Sequence, residues 1–118
     1  MLKPTAVLIH VPDVQTGLSW YKRAFPQAVE TYLSEYDFTV LDIDGFAIEI
    51  VQSDDKVSSG KQGVVLYWHV TDLMKALEHF YGLGCSLYRG IKPIENGQSM
   101  CQVEDPFGNL IGLRGKVT

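Results

Sequence analysis

The alternation of apolar and polar positions divides the chain into short strands and two amphipathic helices, and the order of these elements occurs twice. Thr5 to Val11 is β-branched and apolar with His10 embedded, which predicts a strand; Pro12-Asp13 breaks it and offers a helix cap. Val14, Leu18, Tyr21 and Phe25 then recur at the three-to-four spacing of one buried helical face, with Gln15, Lys22 and Arg23 outside it, until Pro26 stops the run. Three strands follow, Ala28 to Leu33, Phe38 to Ile43 and Phe46 to Val51, joined by turns at Ser34–Asp37 and Asp44-Gly45. Ser53 to Gln62 is polar, with Asp54-Asp55, Ser58-Ser59 and Gly60, and reads as a linker. Gly63 to Val70 is again a strand, and Leu73 to Tyr81 a helix with Leu73, Leu77, Phe80 and Tyr81 as its apolar side. Gly82-Leu83-Gly84 ends that helix, and Cys85 to Ile91, Gln98 to Val103 and Leu110 to Leu113 are three more strands.

The repetition holds residue by residue. His10-Val11-Pro12-Asp13 matches His69-Val70-Thr71-Asp72 at an offset of 59 (10 to 69), Leu18 matches Leu77, and Tyr21 matches Phe80. The last strands match at an offset of 63 (49 to 112), so the second half carries extra residues, expected in the Lys92–Gly97 loop. The expectation is an α+β domain over 1–118 made of two tandem βαβββ modules, 4–52 and 63–115, joined by the linker 53–62. Halves packed side by side would form a curved, cleft-enclosing mixed sheet with helices on the outside.

Composition narrows the classes of function. With 46% hydrophobic residues, 118 residues are enough to fill a core. No apolar run approaches a membrane span and no signal peptide is recognisable after Met1-Leu2-Lys3-Pro4, so a cytoplasmic protein is expected. Cys85 and Cys101 have neither metal-site nor disulfide spacing and read as reduced, buried thiols. A net charge of −4 with scattered basic residues argues against a nucleic-acid or membrane partner and weakly favours cationic ligands. Nucleophile elbows, phosphate-cradling glycine loops and His-x-x-x-His helices do not occur.

The tight corner Asp105-Pro106-Phe107-Gly108-Asn109-Leu110-Ile111, with Val11-Pro12-Asp13 before a helix containing Trp20-Tyr21 and Val70-Thr71-Asp72 in the second half, resembles the vicinal oxygen chelate superfamily. That superfamily holds glyoxalase I, bleomycin-resistance proteins and extradiol dioxygenases. The resemblance implies metal-ligand positions at the first strand and the last strand of each module. These fall on Ala6, Val65, Glu49 and Gly112, so only Glu49 retains a donor. A lone carboxylate holds a divalent transition ion poorly, and no cofactor is expected; the alternative is a divalent Fe, Mn, Ni or Zn ion in a relocated site built from His10, Glu49 and His69.

Strand alternation names the side chains that share a face with the four family positions. They are Leu8 and His10, Tyr67 and His69, Ala47 and Val51, Leu110 and Arg114. The opposite parity, including Val7, Ile9, Val11, Ile48, Ile50, Leu66, Trp68, Ile111 and Leu113, is apolar, as the side beneath helices should be. Candidate ligand-binding residues are therefore His10, Glu49, Tyr67, His69 and Arg114, with Met100 and Gln102 from one face of the penultimate strand. The two histidines also suit strand-end capping, and Glu49 also suits an ion pair with Arg114 or His10. The expectation is a protein that binds a small organic ligand without a metal, acting as a homodimer. The alternative is a metal-dependent lyase, isomerase or dioxygenase of the same superfamily.

Overall fold

A computed structural model describes residues 1–118 and divides into two compact units, Met1–Ser59 and Gly60–Thr118. Each unit is a βαβββ module with its own four-stranded mixed sheet.

In the first unit, β1 (Ala6–Val11), α1 (Val14–Ala24), β2 (Val29–Leu33), β3 (Phe38–Ile43) and β4 (Phe46–Gln52) form a sheet of order β1-β4-β3-β2. β1 runs parallel to β4, with Leu8 opposite Glu49 and His10 opposite Val51. The other pairings are antiparallel. One face of this sheet is closed: Val11, Leu41, Ile48 and Ile50 are at most 1% exposed. Each such fully buried aliphatic side chain contributes about 1.5–3 kcal/mol. Of the predicted face of the helix that covers them, Tyr21 and Phe25 are buried and Val14 and Leu18 half-buried, while the buried stripe is shifted to take in Gly17, Trp20 and Ala24. Gly17 is the reason. A Cβ there would stand 2.8 Å from Val11 Cγ2, so the glycine lets the backbone sit directly on the sheet and sets which side chains follow it in.

In the second unit, β5 (Tyr67–Asp72), α2 (Leu73–Gly82), β6 (Ser86–Pro93), a single 3₁₀ turn (Glu95–Gly97), β7 (Ser99–Glu104) and β8 (Leu110–Lys116) form a sheet of order β5-β8-β7-β6. β5 begins four residues later than the sequence suggests (67 against 63). Gly63 takes a φ of +92° and Val64 stands 97% exposed, so the apolar run Val64-Val65-Leu66 enters irregularly and pairs only through the Gly112 N–H to the Leu66 carbonyl. Leu73, Leu77 and Phe80 are buried under α2 as expected. Tyr81 is 45% exposed, because one helical step from Phe80 turns it about 100° away from the sheet.

The duplication extends to strand register. Leu8 lies opposite Glu49 in the first sheet, and their counterparts Tyr67 and Gly112 lie opposite each other in the second. Asp13 caps α1 and its counterpart Asp72 caps α2. The extra residues of the second module are shared among a bulged β6, the β6–β7 connection, which at 94–98 is longer than 34–37 between β2 and β3, and a longer final corner: Asp44-Gly45 alone joins β3 to β4, whereas Asp105 to Asn109 joins β7 to β8. In that corner the 3%-exposed Asp105 carboxylate accepts from the Phe107 and Asn109 N–H groups at 2.8 and 2.9 Å, and Gly108 supplies a φ of +89°. No helix is long and apolar enough to cross a membrane.

Candidate functional site on the open face of the second sheet

β8 runs between β5 and β7, and the residue at the centre of its open face is Gly112, flanked by Tyr67 on one side and Gln102 on the other. A Cβ at 112 would stand 2.6–2.8 Å from three carbons of the Tyr67 ring. The ring therefore lies over the strand in space that any other residue would occupy. Its hydroxyl reaches across β8 to Gln102, whose Nε2 donates to it at 2.8 Å. The Arg114 guanidinium sits 4.7 Å from the ring centroid, a cation–π contact, with Met100 opposite Arg114 in the register. With Gln102 donating to its oxygen, the phenolic hydrogen of Tyr67 is left to serve an acceptor outside the protein.

Tyr67, Met100 and Gln102 line a pocket of about 300 Å³ together with Arg89, Gly90 and Lys92 of β6. Two irregularities in β6 produce this lining. Leu87 pairs with Val103, on the closed side, and regular alternation would send Arg89 to that side too. One extra residue between them puts Arg89 opposite Gln102 instead, and a second extra residue puts Lys92, three positions on, opposite Met100. Both cations thus reach the open face. Sequence reasoning passed over Arg89 and Lys92 because a strict period of two separates them. The signal that could have found them is Gly90, a glycine inside a strand, which marks a bulge.

Four of the predicted site residues, Tyr67, Met100, Gln102 and Arg114, are thus brought together within the second unit. His69 lies opposite Arg114, two residues along the same face as Tyr67, and is exposed. His10 and Glu49 lie in the first unit on one face of the β1–β4 pair, two residues apart in register. Glu49 is half-buried and makes no ion pair within the first unit, so the salt bridge weighed with His10 is not formed. The charge near His10 is that of Asp54, whose carboxyl is held below its ordinary value first by the N–H groups of Val57 and Lys56 and last by the histidine. A larger pocket of about 420 Å³ lies between α1 and the β2–β3 hairpin, lined by Leu18, Lys22, Tyr32 and Phe38 among others, and contains no predicted site residue. Both cysteines are free and buried, and burial pushes the Cys85 thiol up to about 12, which leaves it inert as a nucleophile at neutral pH.

The donor set does not fit a divalent metal. Of the four positions the superfamily uses, Ala6 and Val65 carry no donor, and the space at Gly112 is filled by the Tyr67 ring. No three His, Cys, Asp or Glu side chains are gathered into a metal-holding group.

A duplicated βαβββ chain with this terminal corner defines a glyoxalase-type fold, and the sequence agrees with it. The family model for the Glyoxalase/Bleomycin resistance protein/Dioxygenase superfamily matches residues 3–113, and the chain belongs to that superfamily. No curated protein matches the sequence. Among solved structures, the fosfomycin resistance protein FosX of Listeria monocytogenes is similar with a TM-score of 0.76 at 15% identity, covering 98% of this chain and 91% of that one. A glyoxalase/bleomycin resistance protein/dioxygenase family enzyme of Burkholderia phytofirmans PsJN gives 0.74 at 16% identity, covering 94% and 96%. An integron cassette protein from the mobile metagenome of V. cholerae gives 0.70 at 18% identity, covering 98% and 95%. At these identities the likeness concerns the fold alone.

Proposed function

We propose that this protein is a glyoxalase/bleomycin-resistance-like binding protein that takes up a small organic molecule on the open face of its second sheet, without a metal ion. The observation that carries this reading is the Tyr67–Gln102–Arg114 arrangement over Gly112. An aromatic wall, an amide and a guanidinium converge beside a pocket, where superfamily enzymes would carry a ligating carboxylate. Pockets of this kind, with apolar walls and a few placed polar groups, are the usual form of small-molecule sites. His69 belongs to the proposal as a further contact on this face, His10 and Glu49 as polar contacts on the open face of the first sheet, and cytoplasmic action as a homodimer completes it. Exposed apolar residues on the two edge strands, Val29, Tyr32 and Leu33 of β2 and Leu87, Tyr88 and Ile91 of β6, support self-association.

The test is a titration of the isotope-labelled protein with a small-molecule library in chelator-treated buffer, followed by amide and methyl shifts. Binding that perturbs Tyr67, Met100, Gln102 and Gly112 and is weakened at least tenfold in Gln102→Ala supports the reading. Ligand uptake that requires added Fe(II), Mn(II), Ni(II) or Zn(II) overturns it and restores the metal-dependent lyase, isomerase or dioxygenase reading.

A further inference from the structure

We infer that the ligand of this pocket is a small organic anion, whose carboxylate, phosphonate or phosphate group is held between Arg89 and Lys92 and whose carbon body rests on Met100 and Tyr67. This deepens the binding reading above and rests on it. The net charge of the chain points the other way, but charge is distributed unevenly: acidic residues concentrate in 1–59, while the open face of the second sheet presents Arg89 and Lys92 in the pocket and Arg114 against its Tyr67 wall. Arg89 and Lys92 belong to no ion pair, unlike Lys22 and Lys61, which are matched by Glu30 and Glu104. Glu104, the nearest carboxylate on the same face of β7, is the one taken by Lys61 at 3.2 Å. The pocket lining itself contains no acidic residue.

The bulges strengthen the case. An extra residue in a strand costs ladder hydrogen bonds, and bulges recur where a strand must re-aim a side chain. β6 carries two, and together they put both of its pocket cations on the side where Tyr67 has a free phenolic hydrogen. Guanidinium and ammonium groups with a neutral hydroxyl donor are the complement of an oxyanion, and charge-assisted bonds of this kind are about twice as strong as neutral ones. Met100 and the Tyr67 ring offer nothing to a bare inorganic ion, which is why the ligand is organic.

The experiment compares benzoate and phenylphosphonate with the neutral isostere benzamide, the cation benzamidinium and inorganic phosphate, by chemical-shift titration of the full chain at low salt. Benzoate or phenylphosphonate should bind at least tenfold more tightly than benzamide or benzamidinium and more tightly than phosphate. Their affinity should fall at least tenfold in the Arg89→Gln/Lys92→Gln double variant and stay unchanged in Lys75→Gln, an exposed charge on α2. Both pocket cations are exposed, so the double variant should keep its fold, checked by its amide spectrum. Benzamide binding as tightly as benzoate, or a double variant that binds like the parent, overturns the anion inference while leaving the binding reading in place. Phosphate binding as tightly as phenylphosphonate removes the organic part of the claim. A face that responds to no compound, charged or neutral, sinks both readings.

Discussion

The two modules share a register and differ in what they do with it. In the first, the position facing β4 from β1 is Leu8, 53% exposed, and its partner is Glu49, a carboxylate with no ion pair. In the second, the same two positions are Tyr67 and Gly112, an aromatic ring laid flat on a strand that has given up its side chain. One sheet keeps a carboxylate without an ion pair and the other builds a wall with three cations beside it. Backbone duplication therefore conserves which face is open, while the chemistry of that face is rewritten module by module, which is why fold alone does not fix activity in such families.

The sharpest way to break the comparison is at the final corners. Asp105 is buried and holds two N–H groups of its turn, whereas the corresponding corner of the first module is the exposed pair Asp44-Gly45, with Asp42 accepting from Gly45 at 3.2 Å. Asp105→Ala removes the acceptor of two part-buried N–H groups and should cost about 3 kcal/mol in urea unfolding. Asp42→Ala should cost well under half of that. Equal losses would mean that the long corner is no better braced than the short one.

Next in size is the seat of the ring. Gly112→Ala places a methyl group in van der Waals conflict with Tyr67, and overpacking of this kind costs about 2 kcal/mol. It should also displace the ring and abolish pocket binding. Glu49→Gln, at the matching position of the first module, should leave the unfolding midpoint nearly unchanged while weakening ligand contact on the open face of the first sheet. A Gly112→Ala protein as stable as its parent would show that the ring is not seated on the strand. A Glu49→Gln protein that unfolds would make Glu49 a structural residue and remove it from the proposed site.

How much of this was legible in the sequence follows from which physical signal each feature leaves. Alternation within β1, β4 and β8 assigned Val11, Ile48, Ile50, Ile111 and Leu113 to the closed side, and all five are at most 3% exposed. The Asp13 cap was equally readable, because capping is local, and the repeat set Asp72 at the matching position. The pairing of Tyr67 with Gln102 depends on a ring lying across an intervening strand, which no one-dimensional pattern records. The aim of Arg89 and Lys92 depends on bulges that shift parity, and the α1 face was read correctly only at Tyr21 and Phe25 because Gly17 counts as a blank in a hydrophobic pattern although it decides how closely the helix packs. Early strand residues 63–66 failed for a related reason: apolar composition favours a strand, but the positive φ of Gly63 turns the backbone before pairing begins.

A smaller effect separates Tyr67 from its counterpart Leu8. Tyr67→Phe keeps the ring over Gly112 but removes the hydroxyl and strands the Gln102 amide, which should cost about 1 kcal/mol and weaken the affinity for an anion. Leu8→Ala, at an exposed position, should change stability little. If Tyr67→Phe is as stable and binds as well as the parent, the Tyr67–Gln102 bond contributes neither to the fold nor to the site.

The smallest predicted difference lies where the modules are most alike. Asp13 and Asp72 both have carboxyls held below the ordinary value of 3.8, Asp13 first by the Thr16 hydroxyl and then by the Thr16 N–H, Asp72 first by the Thr118 hydroxyl and then by the Lys75 N–H. A folded-state value below the unfolded one means that each ionised cap stabilises the protein above the ordinary carboxylate pKa, and that this contribution is lost as pH falls through the lower, folded value. Asn at either position can still cap the helix but no longer titrates. Asp13→Asn and Asp72→Asn should therefore each show a shallower loss of urea midpoint between pH 5 and about pH 3 than the parent. Thr118→Ala should act on the acid limb in the same direction as Asp72→Asn and not add to it, because the hydroxyl works through that carboxylate. An unchanged acid limb in both asparagine variants would mean that the two caps are equal in their indifference to charge, and that the symmetry of the modules at this point is geometric only.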